Sequence, residues 1–172
     1  MQHVKWFDKK FNFNLDQNEF NTVLSKLNET PGRISELVEN VPEETLIKKT
    51  DDKWSIKENI GHLIDLEELH SGRIDDFINN RDTLRSADLN NTKTHQTGHN
   101  KRDVNDLIAE FKRVREHFIK RLSELEENIL TKSAIHPRLN QPMRPIDMAQ
   151  FVLEHDEHHL ETIKELIEIL SP

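Results

Sequence analysis

"PIDMAQFVLEHDEHHLETIKELIEIL", residues 145–170, is the stretch on which the fold turns. At 100° per residue, Met148, Val152, Ile163, Leu166 and Leu170 gather on one face, and Glu154, Glu157, Glu161, Lys164 and Glu168 take the other. That period predicts a helix, opened by Pro145 at a favoured first-turn position and running to about Leu170. Its apolar face is not all hydrocarbon. His155 and His159 fall near the centre of that face, and His158 lies about 90° away at the rim.

The same period recurs upstream. Phe20, Val23, Leu24, Leu27, Ile34, Leu37, Val38 and Val41 trace one stripe, interrupted by Thr30-Pro31. Proline removes a donor and crowds the preceding turn, so a kink or two short helices are expected there, with Thr30 capping the second piece and Pro31 at its first position. In "WSIKE", Ser55 and Glu58 stand at the capping-box spacing ahead of Ile56, Ile60, Leu63, Leu66, Ile74 and Phe77. A further helix is expected from about Asp103, with Val104, Leu107, Ile108, Phe111, Val114, Phe118, Leu122 and Leu125 along one side. Alternation of the strand type is nearly absent, and only 4 glycines occur. The expectation is an all-α protein, a four-helix bundle forming one domain over residues 1–172. Two irregular links stand out: "RDTLRSADLNNTKTHQTGHNKR" before the third helix and "SAIHPRLNQPMR" before the fourth. The first is long for a plain connector in a compact domain.

Composition narrows the functions. The chain has no cysteine, which removes disulfides, a thiolate nucleophile and thiolate metal ligation. No apolar run approaches the roughly 20 residues that cross a bilayer, and "MQHVKWFDKKFNFNL" lacks the apolar segment of a signal peptide, so a cytoplasmic protein without a membrane partner is expected. A formal net charge of -8 argues against nucleic-acid binding, which needs basic surface to neutralise phosphates.

The histidines ask for an explanation. His155 and His159, spaced i and i+4, would point into the bundle about 5–6 Å apart at Cβ. An unpartnered polar group there costs roughly 1–3 kcal/mol. Either backbone carbonyls and carboxylates satisfy the pair, or it ligates a metal, since imidazole suits zinc, nickel, copper and iron. A third ligand would come from the second helix, which offers His62, His70 and an inward-leaning Glu67. On the wheel Glu67 and His70 lie near the apolar centre and His62 on a flank, which favours His70 without excluding His62.

"DDKWSIKENIGHLIDLEELHSGRIDDF", followed by "HPRLNQPMRPIDMAQFVLEHDEHHLETI", resembles the DinB-like superfamily of metal-dependent hydrolases. The resemblance also takes in "FNFNLDQNEF" and "TPGRISELV" near the start, and so spans nearly the whole chain. It implies a bundle of the DinB-like type, often homodimeric, with a divalent metal, nickel or zinc, held by three histidines. Carried onto this sequence these are His62, His155 and His159. Relatives in that family include bacillithiol S-transferases and mycothiol-dependent maleylpyruvate isomerases, so it implies thiol chemistry as well as hydrolysis.

Three imidazoles leave open coordination positions, as in catalytic sites, where water is acidified toward neutrality or a thiolate from a low-molecular-weight cofactor is taken up. Glu67 and Asp156 are the candidate catalytic carboxylates, with an ion pair or surface charge as the plain alternative. His95 and His99 read as solvated loop residues that could fold over the site. Arg138 and Arg144 could hold a carboxylate or brace the link. The expected function is a metal-dependent hydrolase or small-thiol S-transferase acting on small electrophilic substrates. The alternative is a non-catalytic, metal-stabilised dimeric stress-response binding protein.

Overall fold

The computed structural model describes residues 6–51 and 53–170, and four long helices dominate it: α1 (Phe20–Val38), α3 (Ile56–Ile78), α5 (Val104–Ser123) and α7 (Pro145–Leu170). Residues 1–5, 52 and 171–172, over which the one-domain reading and the reading of the first residues also extend, lie outside the described ones. Three short helices fill the links: α2 (Glu43–Ile47), α4 (Thr92–Thr97) and α6 (Glu127–Leu130).

The helix starts follow from local chemistry. The Glu58 amide donates to the Ser55 hydroxyl at 3.1 Å and the Ser55 amide to the Glu58 carboxylate at 2.9 Å, completing the capping box of α3. Asp103 accepts from the Asn105 amide at 2.8 Å at the head of α5. Asp147 reaches back to the Arg144 amide at 2.9 Å at the head of α7.

The helices pack in the order α1, α5, α3, α7 around the bundle, so that α3 neighbours both α5 and α7, while α1 lies across from α3. The apolar residues fall into two clusters. One joins the first half of α1 and of α7 to the last halves of α3 and α5, and the other joins the opposite ends, so α1 and α7 run one way and α3 and α5 the other. In an up-down-up-down bundle with short loops, consecutive helices are neighbours. Here α1 and α3 face each other diagonally, as do α5 and α7, and α7 comes to lie against α3.

Between the two clusters runs a polar layer with one side chain from each long helix: Thr30, Glu67, Arg115 and Asp156, all buried. Arg115 donates to Glu67 at 2.8 and 3.0 Å and binds Asp156 through both terminal nitrogens, while the Thr30 hydroxyl donates to Asp156 at 2.8 Å. This layer also explains α1. The helix continues through Pro31 instead of breaking, and Thr30 turns inward to Asp156 rather than capping a second piece. Pro31 has no N–H for the Leu27 carbonyl, and Arg115 donates to that oxygen instead, at 3.3 Å.

The two irregular links hold more structure than expected. Ala134–His136 (β1) and Gln141–Met143 (β2) form an antiparallel hairpin, turned by Asn140 at φ 50°, a left-handed conformation that Asn tolerates well. Thr83 bridges to Ile135 beside it, which fixes the start of the long link against the hairpin. Among the described residues no helix is long and apolar enough to cross a membrane.

Candidate metal centre

His62, in the second turn of α3, meets His155 and His159 from the middle of α7; one ligand atom from each lies within 4.8 Å of the others. His155 Nε2 and His159 Nε2 are 3.2 Å apart. That is close to the spacing of about 3.3 Å between neighbouring nitrogens around a tetrahedral zinc. His70, which the wheel favoured, stands apart, with its Nδ1 3.4 Å from Glu67 and its ring 5.7 Å from that of Phe118.

Hydrogen bonds fix the tautomers of two rings. The Thr94 hydroxyl donates to Asp65 at 2.9 Å, so its oxygen accepts from His62 Nδ1–H at 3.1 Å. The Asn59 amide nitrogen donates to the Ser55 carbonyl at 2.8 Å, which leaves its oxygen to accept from His159 Nδ1–H at 2.8 Å. Both rings therefore carry their lone pair on Nε2, and outer partners of this kind orient metal-ligating imidazoles generally. His155 has no such partner, and its Nδ1 is buried and unsatisfied. With the lone pair of His159 on Nε2, His155 donates to it through Nε2–H, and His155 Nδ1 is then a buried acceptor with no donor, which a fully satisfied set of core histidines would not leave. The donor set fits a divalent metal.

Burial also sets the charge. It pushes His62 down to about 4, a fall that Asp65 opposes and the neighbouring histidines reinforce. Burial, together with neighbouring imidazoles, holds His155 and His159 well below the ordinary imidazole value. All three are neutral at pH 7, the form that ligates.

The link between α3 and α5 covers the cluster. Thr94 comes from α4, and His99 donates to Asp65 through Nε2–H at 2.8 Å. His99 is thus buried, contrary to the reading of it as solvated, while His95 is exposed beside Trp54. The His99 ring packs so closely on Gly61 that a Cβ there would stand 2.2 Å from it. Trp54 lies 4.6 Å from His62, and Trp6 4.8 Å from His155, ring to ring. Between these walls opens a cavity of about 470 Å³ that all three histidines line.

A family model for the DinB superfamily matches residues 26–163. The chain belongs to the DinB superfamily. Among solved structures it is similar to YfiT from Bacillus subtilis, described as "a probable metal-dependent hydrolase with an unusual four-helix bundle topology", with a TM-score of 0.79 and 17% identity over 94% of this chain and 93% of that one. At that identity the likeness shows the fold. No curated protein matches.

In this DinB-superfamily chain the other expected site residues go elsewhere. Glu67 and Asp156 both bind Arg115 in the mid-bundle layer. Arg144 braces the hairpin end of α7, donating to Asp147 at 2.8 and 2.9 Å and to the Leu15 carbonyl at 2.9 Å. Arg138 extends over the rings of Trp6, Phe7 and Phe151. The sequence reading missed Arg115 and Arg73, although each interrupts an apolar stripe at helical spacing: Phe111, Arg115, Phe118 and Leu66, Arg73, Phe77. Asn59 and Thr94 carried no such signal.

Proposed function

We propose that this protein holds a divalent metal, nickel or zinc, on His62, His155 and His159 and acts on small electrophilic substrates in the adjoining cavity, as a hydrolase or as a small-thiol S-transferase. The observation that carries the reading is the convergence of three neutral imidazoles, two with their lone pairs fixed on Nε2, at the wall of a cavity large enough for a small organic molecule. Three protein ligands leave room for water or substrate, as catalytic sites do. A metal so held supplies Lewis acidity and lowers the pKa of water or of a thiol bound to it. Asn59 and the Thr94–Asp65 pair orient two of the ligands, while Trp54 and Trp6 exclude bulk water. Glu67 and Asp156, clamped by a guanidinium, serve to position α3 against α7 rather than to take a proton. Any thiol must come from outside, because the chain has none.

Metal content by plasma mass spectrometry, on wild type beside His62→Ala and His70→Ala, tests this reading. Near-stoichiometric metal that disappears only in His62→Ala is the expected result. Wild-type protein that stays metal-free after incubation with zinc or nickel would overturn it. Ester, phosphoester and thiol-conjugation substrates then separate the two chemistries.

A further inference from the structure

The cavity is also lined by two arginines, Arg73 and Arg138, that have no salt-bridge partner among the described residues. Arg73, from α3, is buried, and its Nε donates to the Arg85 carbonyl at 3.2 Å. Asp76, one helical turn on from Arg73, is taken by Arg85, which binds it through the side chain at 2.9 and 3.1 Å and through the backbone amide at 2.8 Å, and Asp75 is taken by Arg121. Arg138, from the hairpin, lies with its guanidinium carbon 5.3–5.9 Å from three aromatic rings. Among the described residues, neither Arg73 nor Arg138 has a salt-bridge partner. Asp88, which also lines the cavity, spends its carboxylate on the Asn90 and Thr92 amides, each at 2.9 Å.

Two buried polar atoms here lack any partner: Arg138 Nη2 and His136 Nε2. Burying a guanidinium without a counter-charge is costly, and natural interiors pair such groups. The electrostatics agree with the geometry. Burial and then the charges of Arg138 and Arg85, with Asp76 opposing, lower Arg73 to about 10, and burial with the charges of Arg73 and Arg138 pushes His136 down to about 3. Arginine's planar fork of donors is suited to an oxyanion, which it binds bidentately.

Arg138 and the histidines are close. The Trp6 ring lies 4.8 Å from that of His155 and 5.9 Å from the Arg138 guanidinium carbon, so one aromatic side chain separates them. Leu66, Leu69 and Phe151 add apolar surface to the same cavity. We propose that Arg73 and Arg138 form an anion subsite that takes the carboxylate or phosphate of an organic substrate, whose apolar body lies along Trp6 and Phe151. That the reacting group of the same molecule then sits at the histidines rests on the metal-dependent reading above; the subsite itself does not.

Calorimetric titration of the full-length protein, metal-free and zinc-loaded, with phenylacetate, phenyl phosphate and neutral phenylacetamide tests the proposal. At least one anion binds ten-fold or more tighter than the amide in the metal-free protein, and Arg138→Gln removes most of that preference. Preference for phenylacetate identifies a carboxylate substrate, and preference for phenyl phosphate a phosphate. Arg73→Gln gives the same loss where it folds; Arg138, half-buried and without a salt-bridge partner among the described residues, keeps the test available if it does not. Equal binding of anions and amide overturns the subsite, as does a preference that survives Arg138→Gln. A preference seen only with zinc and lost in His155→Ala also overturns it, because the anion would then be bound by the metal. An anion preference intact in a His155→Ala protein, in a chain whose wild type takes up no metal, would sink the metal reading and leave the subsite standing.

Discussion

Two groups of buried polar side chains share α3 and α7, and they are finished differently. In the mid-bundle layer Arg115 meets Glu67, Asp156 and the Leu27 carbonyl, Thr30 meets Asp156, and among these side chains only Glu67 Oε2 is left without a partner. One residue before Asp156, His155 leaves Nδ1 unpartnered and faces the lone pair of His159 across 3.2 Å. In the layer one guanidinium stands between two carboxylates, so the charges are paired within the protein. The histidine cluster and the cationic end of the cavity leave His155 Nδ1, His136 Nε2 and Arg138 Nη2 unpartnered beside open space. Burial of polar groups is common to both, so satisfaction by the protein's own atoms is what separates a brace from a site.

Breaking the brace has the largest expected effect. Arg115→Met leaves Glu67 and Asp156 buried with no cation and the Leu27 carbonyl with no donor. Removing one partner from a buried ion network typically costs about 3–5 kcal/mol. Denaturant unfolding of metal-free protein checks this. A loss under about 1 kcal/mol would mean that the layer is hydrated and the contrast with the histidines false.

The histidine site responds to pH. His62 titrates at about 4 in the folded chain against an ordinary value of 6.5, so the unfolded chain binds its proton more readily. Stability of the metal-free protein therefore falls as pH falls from about 6.5 toward 4, by up to about 3 kcal/mol for His62 alone. His155 and His159, displaced in the same direction, steepen the fall. Above pH 6.5 the contribution of these groups is constant. Thermal unfolding across pH 4–8 measures it, and a flat profile between 6.5 and 5 would show that the imidazoles are not held neutral.

What could be read from the sequence divides along the same line. The capping box at Ser55 and Glu58, the stripe of α7 and the inward His155 and His159 are local patterns, and period and spacing express them directly. The order of helices around the bundle is not local. A stripe says which face is buried but not which neighbour covers it, and the packing of α3 on α7 is what brings His62 to the pair. The wheel pointed to His70 because its centre marks the bundle axis, whereas the cluster lies off that axis, between two helices and under Trp54. Three-residue strands, one with Pro142 in it, are too short to alternate visibly, so the hairpin was missed. His99 looked like any polar loop residue, since only contact with Gly61 and Asp65 buries it. Arg115 was legible as a charge in the middle of an apolar stripe.

The smallest predicted effect tests most finely whether the open group is a site. Asn59 touches no guest; it only accepts from His159 Nδ1–H, with its own amide held by the Ser55 carbonyl. Asn59→Ala removes the acceptor, so the imidazole of His159 can carry its proton on either nitrogen and rotate more freely. Loss of an outer partner of this type lowers metal affinity by about 10–100-fold. Asn59→Asp keeps an acceptor in nearly the same place and should restore most of that affinity, which simple loss of packing in α3 would not allow. Competition titration with a chromogenic zinc chelator reads both variants. Equal affinity in wild type and Asn59→Ala would mean that His159 is not held as a ligand, and that its bond to Asn59 is one more internal satisfaction, of the same kind as those in the mid-bundle layer.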